Sequence, residues 1–253
     1  MRTEELVLRN RAGERMPATL FRPDAASVGT AVILHGLGAW RNQPLLLAVA
    51  RLLADQGYAV LRFDEANGVT APDGDFFRST TTKYTQDVED VLAYVNSAPW
   101  RSGPMLLVGH SLGGLVAAWY AARHPDQVAR LVLIAPAISW KTMWWKWLPL
   151  SLLWYVRGYR LILGIEGKKF ALSPLWWRDF FRYDAMAYAP QIPAPTLVIS
   201  AEQDHTVGRP RDERALARRF PNGEHSMVSW TNHIFDEHVD EVVDTINRWL
   251  TSS

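Results

Sequence analysis

Met105-Leu106-Leu107-Val108-Gly109-His110-Ser111-Leu112-Gly113-Gly114 is the stretch that decides the fold. Its first four residues form an apolar run too short for a buried helix, and residues 112–123 that follow are rich in good helix formers. Between them, Gly109-His110-Ser111-Leu112-Gly113 fits G-x-S-x-G. Chance alone places that pattern in roughly one chain of this length in twelve, so the pattern needs its context. A strand running in and a helix running out supply it. In that setting a serine sits on a strained turn, its hydroxyl lifted above the sheet edge at a helix N-terminus. Glycine two residues to either side lets backbones pass where a side chain would collide. Ser111 is the candidate nucleophile.

Outward from this turn the same texture repeats. Short runs rich in Val, Ile and Leu recur at residues 31–34, 59–63, 131–135 and 196–200, each bounded by turn residues and suited to strands covered on both faces. Helix-length segments at 44–56, 85–96, 112–124 and 211–219 alternate with them, as in βαβ units around a parallel sheet. Residues 5–9 and 15–21 flank Asn10-Arg11-Ala12-Gly13 and predict an opening antiparallel hairpin. A last strand is expected near 226–230, and an amphipathic helix over about 236–250. The expected architecture is a mostly parallel, doubly wound α/β sheet.

Residues 139–190 break the rhythm. No short strand is predicted there, and seven of the twelve tryptophans fall in it: Trp140, Trp144, Trp145, Trp147, Trp154, Trp176 and Trp177. The segment predicts an inserted helical cap on a core made of residues 1–138 and 191–253, with Pro190, Pro193 and Pro195 marking the return. Trp140, Trp144 and Trp147 share a face at i, i+4 and i+7, and Ser173-Pro174 suits the start of a second helix carrying Trp176, Trp177, Phe180 and Phe181. Trp144, Trp147 and Trp177 are the candidate substrate-binding residues, set against the plainer reading that these stripes pack on each other.

The 253 residues carry 27 Lys and Arg against 26 Asp and Glu, a net charge of +1 with no basic block, so nucleic acid is not expected as a partner. Without cysteine there is no disulfide framework, thiol nucleophile or thiolate metal site, and no metal is expected. The N-terminus Met1-Arg2-Thr3-Glu4-Glu5 lacks the basic start and apolar run of a secretory signal, which points to a cytoplasmic protein.

A nucleophilic serine needs a base, an acid and donors for the oxyanion. The base must lie just past a strand's C-terminal end, and His233, three residues beyond the last expected strand, is there. His225 lies before that strand, His238 in the closing helix, and His110 and His124 read as structural. The acid is Asp204, just past the strand at 196–200, with Glu202 its nearest competitor. A carboxylate there would fix the imidazole tautomer and stabilise the imidazolium. His35-Gly36-Leu37-Gly38 follows the strand at 31–34, so the N–H groups of Leu37 and Leu112 are the candidate oxyanion hole. His35 itself is expected to brace the loop.

From the hairpin through His35-Gly36-Leu37-Gly38, Gly109-His110-Ser111-Leu112-Gly113, Asp204 and His233, the sequence resembles the α/β-hydrolase superfamily over nearly its whole length. Leu37-Gly38-Ala39-Trp40-Arg41-Asn42-Gln43-Pro44-Leu45 and Ala59-Val60-Leu61-Arg62-Phe63-Asp64 are similar to small bacterial feruloyl or cinnamoyl esterases, with monoacylglycerol lipases and lysophospholipases close in pattern. After Asp64, where those esterases have an Arg-Gly-His-Gly-like turn, this chain reads Glu65-Ala66-Asn67-Gly68. The resemblance implies an α/β-hydrolase fold and a cofactor-free carboxylic ester hydrolase that takes a small-molecule ester with an apolar acyl or aryl group. Two alternatives stand beside it. One is a lipase-like enzyme whose cap meets a lipid surface; the other is a non-catalytic member that binds an apolar ligand. Self-association is left open by the sequence.

Overall fold

The computed structural model describes residues 1–143, 161–165 and 168–252. The chain opens with the antiparallel hairpin β1 (Arg2–Arg9) and β2 (Arg15–Arg22), then runs β3 (Gly29–Leu34), α1 (Pro44–Asp55), β4 (Tyr58–Phe63), α2 (Thr81–Ser97), β5 (Met105–His110), α3 (Leu112–Arg123) and β6 (Arg130–Ile134). A two-stranded antiparallel ribbon follows, β7 (Leu161–Ile165) with β8 (Lys168–Leu172), then α4 (Pro174–Phe180) and α5 (Ala185–Tyr188). The chain ends with β9 (Thr196–Ala201), α6 (Pro210–Ala217), β10 (Gly223–Val228) and α7 (Val239–Ser252).

Eight of these strands form one sheet in the order β1-β2-β4-β3-β5-β6-β9-β10. From β4 to β10 every pairing is parallel, while β2 lies antiparallel to β4. β3 and β5 are buried along their whole length, as continuous apolar runs require when helices cover both faces. The period of two then divides each strand between two cores. Val32, Leu34, Leu107 and Leu133 join Val88, Leu115 and Val116 of α2 and α3, whereas Ile33, Val108, Val132 and Ile199 join Leu45, Val49, Val242 and Ile246 of α1 and α7. This is the α/β-hydrolase fold.

Three expectations need correction. The last strand is Gly223–Val228 and not 226–230: His225 lies inside it. His238 stands just before α7, which begins at Val239. Residues 139–190, expected to lack strands, contain the β7–β8 ribbon. Other expectations in that segment fare differently. Ser173 caps α4 by accepting the Leu175 N–H at 3.2 Å, with Pro174 in the first turn, as its sequence suggests. Trp144 and Trp147 lie outside the described residues. The segment is tied back at its base, where Ser139 forms an antiparallel bridge with Asp184 and the Ala185 N–H donates to Ile138 O at 2.8 Å. It is also tied to α2, whose Thr82 N–H and hydroxyl both bond Asp179 at 2.7 Å. Among the described residues no helix is long and apolar enough to cross a membrane.

Candidate active site

β5 runs directly into Ser111, and α3 begins at the next residue. Ser111 holds φ 55 and ψ −121, a backbone region that costs a residue with a Cβ about 1–3 kcal/mol. Neighbouring backbone holds it there. The Ser111 N–H donates to Ile134 O at 3.0 Å, and Ser111 O accepts from the N–H groups of Gly114 and Ala137, each at 2.9 Å. The two motif glycines permit the close approach: a Cβ on Gly109 would lie 2.3 Å from Gly113 O, and one on Gly113 would lie 2.4 Å from Leu34 O.

Two loops at the same sheet edge meet this turn. The loop after β9 carries Asp204 and the loop after β10 carries His233. They are pinned together by the Glu202 N–H to Val228 O (3.0 Å) and the Gln203 N–H to Thr231 O (2.9 Å). Ser111 Oγ stands 2.8 Å from His233 Nε2, and His233 Nδ1 stands 2.6 Å from Asp204 Oδ2. The hydroxyl donates to Nε2, and the Nδ1–H donates to the carboxylate. Asp204 also accepts the Thr206 N–H at Oδ1, 2.6 Å away. Burial pushes the Asp204 carboxyl up, but the His233 hydrogen bond and charge and the N–H groups of Thr206 and Val207 outweigh it, leaving it below the usual value. Asp204 is therefore held as a carboxylate. Glu202, the competing acid, accepts the Trp230 N–H instead, at 2.8 Å.

The remaining histidines fall into place around this chain. His225 bonds the buried Ser200 Oγ through Nε2 at 2.7 Å, away from Ser111. His110, at the variable position of the motif, donates its Nε2–H to His233 O at 3.0 Å. Burial, followed by the proximity of His233, pulls its pKa down to about 3, so the ring is neutral and its N–H steadies the backbone of the His233 loop. The sequence alone reads His110 as structural, and a variable motif position carries no signal that says more. His35 donates from Nδ1 to Gly36 O (2.8 Å) and accepts the Glu65 N–H at Nε2 (3.2 Å), bracing the loop as expected.

Leu112 is the first residue of α3, so its N–H has no acceptor within the helix. Leu37 lies in the turn closed by the Ala39 N–H to Gly36 O (3.1 Å), and a Cβ on Gly36 would meet Ser111 Cβ at 2.9 Å. Leu37 and Leu112 both border a cavity of about 190 Å³ that also contacts Ser111 and His233. The rest of its described wall is almost wholly apolar. Ala137 and Val207 lie outside residues 139–190, while Met143, Leu172, Trp176, Trp177 and Phe180 come from within them. Trp177 borders this cavity. Trp176 stacks on Phe180 with centroids 4.9 Å apart and meets Trp177 edge-on. Met143, Leu172, Trp176 and Phe180 are not among the sequence-based candidates, because their spacing alone does not distinguish a pocket wall from a core. Among the described residues no group of three or more His, Asp or Glu could hold a metal ion.

Comparison with known proteins follows the same lines. The family model Hydrolase_4, described as serine aminopeptidase, S33, matches residues 25–170, more than half of the chain. That stretch includes Leu37, Ser111 and Leu112 and stops short of Asp204 and His233. The pyrethroid hydrolase of Sphingobium wenxiniae is 36% identical over 117 residues, 44% of this chain and 39% of that protein. Human mitochondrial palmitoyl-protein thioesterase ABHD10 is 30% identical over 121 residues, 48% of this chain and 38% of that protein. The chain therefore matches about two fifths of the length of these curated relatives. Among solved structures, Est1E from Butyrivibrio proteoclasticus with bound ferulic acid superposes with a TM-score of 0.80 at 19% identity, over 98% of each chain.

Proposed function

The chain belongs to the Hydrolase_4 family of α/β hydrolases, and on that premise we propose that it is a serine hydrolase cleaving carboxylic esters through an acyl-serine intermediate. The observation that carries the reading is the continuous hydrogen-bonded chain from Asp204 through His233 to Ser111, opening on an apolar cavity. In this reading His233 Nε2 takes the hydroxyl proton as Ser111 Oγ attacks the ester carbonyl. The carbonyl oxygen becomes an oxyanion between the Leu37 and Leu112 N–H groups, where preorganised donors are worth several kcal/mol each. The tetrahedral intermediate collapses, and His233 returns the proton to the departing alkoxide. Water, deprotonated by His233, then attacks the acyl-serine and releases the acid.

Residues 139–190 serve in this proposal as the cap that walls the acyl side. A cavity of about 190 Å³ is only somewhat larger than the engineered one of about 150 Å³ that accepts benzene, so it suits an aryl or short branched acyl group. The described residues that line the cavity include no carboxylate, and their apolar character suits the acyl or aryl group of an ester. A fluorophosphonate probe tests the reading: labelling at Ser111 is expected, located by mass spectrometry and abolished in Ser111→Ala. Labelling at a different serine would overturn it.

A second reading, action on lipid esters at an interface, rests on a specific feature. Leu175 in α4, Phe181 just after it, and Trp230 and Ile234 in the loop that carries His233 are exposed large apolar residues. Sedimentation with phosphatidylcholine vesicles, compared for the parent and Trp230→Ser, decides it. If neither protein pellets, this reading is removed.

A further inference from the structure

Glu65 follows Asp64 at the end of β4 and is 1% exposed. Its backbone N–H holds His35 Nε2 at 3.2 Å. Its carboxyl receives one long hydrogen bond, from Ser79 Oγ to Oε2 at 3.5 Å, and Oε1 is buried with no partner. A carboxylate so placed would lack the donors that a buried anion requires, whereas a neutral acid fits the site. The groups that face it are mostly acidic or uncharged. Asp87 and Tyr84 approach from α2, Asp64 precedes it in the chain, and Lys83 is the cation among them. Asp64 is already paired with Arg41, and Asp87 accepts from the Ala66 N–H and from Asn10. Burial, then Asp87, pushes the Glu65 carboxyl up to about 8.

Glu65 connects to the proposed oxyanion hole in three short steps. His35, held by the Glu65 N–H, donates to Gly36 O at 2.8 Å. Tyr84, stacked on the His35 ring at 5.3 Å, donates its hydroxyl to His35 O at 2.9 Å. Gly36 in turn packs against Ser111, and Leu37 follows it. Resting on the ester-hydrolase reading above, we infer that Glu65 is a positioning residue, which holds the oxyanion loop of residues 35–38 while its carboxyl is protonated and releases it on ionising. The anion would have to draw water inward or swing toward Lys83. Either movement pulls on the residue whose N–H fixes His35.

The test follows the full-length protein from pH 6 to 9.5 by NMR with labelled glutamate carboxyls and glycine amides, beside steady-state turnover of a p-nitrophenyl ester. In the parent, one glutamate carboxyl should titrate near pH 8, the Gly36 and Gly38 amides should shift with the same midpoint, and kcat should fall severalfold over that range with little change in KM. In Glu65→Gln all three changes should vanish. Glu213→Gln separates the other buried glutamate, and Ser79→Ala, which removes the hydroxyl bonded to Glu65, should move the shared midpoint upward. Glycine amides that stay still while Glu65 titrates would overturn the inference. So would an alkaline fall in kcat that survives in Glu65→Gln, or a midpoint unmoved in Ser79→Ala. Absence of ester turnover would count against the ester-hydrolase reading alone, since the NMR signals need no substrate.

Discussion

The sheet edge around Ser111 and residues 139–190 are built on different physical terms. At the edge, each group of the proposed triad is pinned by hydrogen bonds to or beside it: Ser111 by Ile134 and Ala137, Asp204 by Thr206, and the His233 loop by Gln203 and His110. The described part of the 139–190 segment contributes mainly apolar surface to the cavity. Trp176, Trp177 and Phe180 pack on one another and border the cavity, and the described residues of the segment are tied at its base and, through Asp179 and Tyr183, to Thr82 of α2. Directional bonds place atoms to tenths of an ångström, as proton transfer demands. Non-directional packing shapes a wall that can be altered without disturbing the chemistry.

If that division is right, changes at the edge should act on turnover and changes in the insertion on substrate choice. The largest effect expected is for Ser111→Ala, with kcat lowered by about a million-fold, as loss of a triad nucleophile can do. Next comes Asp204→Asn, which should lower kcat about 10⁴-fold by releasing the wrong imidazole tautomer. Glu202→Gln should stay within a few-fold in the same assay. An equal loss at Glu202 would break the assignment of the acid.

A third effect is on stability. The Glu65 carboxyl is raised from 4.5 to about 8 in the folded chain, so between those values the unfolded chain gives up a proton that the folded chain keeps. Stability therefore falls as pH rises through this window and levels off above it. Glu65→Gln should remove that loss, a gain at pH 8.5 of at most about 5 kcal/mol. Urea denaturation at pH 5 and 8.5 would show it as parent and variant curves that separate only at the higher pH. Asp204, held below its usual value, acts with the opposite sign, losing its contribution as pH falls.

Smaller effects sharpen the comparison from the other side. Trp177→Ala should change the preference between short and long acyl groups by about 1–3 kcal/mol, read as kcat/KM across a p-nitrophenyl ester series. A lowered melting temperature with an unchanged acyl profile would make Trp177 a core residue instead. The exposed Leu175 should matter least, with Leu175→Ser altering stability by no more than about 0.5 kcal/mol in urea denaturation.

The core is readable because burial on both faces leaves a strong mark: a run such as Ala31-Val32-Ile33-Leu34, short and wholly apolar between turn residues, suits little besides a strand under two helical layers. Where a strand is covered less completely the mark fades. β10, Gly223-Glu224-His225-Ser226-Met227-Val228, lies at the sheet edge and gathers its apolar residues at one end, so its pattern points three residues too far along the chain. β7, Leu161-Ile162-Leu163-Gly164-Ile165, and β8 sit outside the main sheet, in a stretch whose many aromatic residues point the reading toward helices. The elbow serine and its flanking glycines are legible because sterics leave few substitutes for them. His110 and Glu65 are not, since their parts depend on which atoms the fold brings within 3.2 Å, namely His233 O and His35 Nε2.

The bridge between Ser139 and Asp184 has a consequence for how such a chain could diversify. Because departure and return lie side by side, the backbone of the core closes across the excursion as across one tight turn. Loop-closure entropy grows only with the logarithm of loop length, so a change in the excursion's length costs little more than about 1 kcal/mol in closure entropy, and what a replacement must restore is the apolar packing of Leu172, Trp176, Trp177 and Phe180 on the core. The edge of the sheet behaves as a socket. New walls can be grafted onto it by recombination at two adjacent residues, while the spacing between Ser111, His233 and Asp204 stays under the control of strands that never see the exchange.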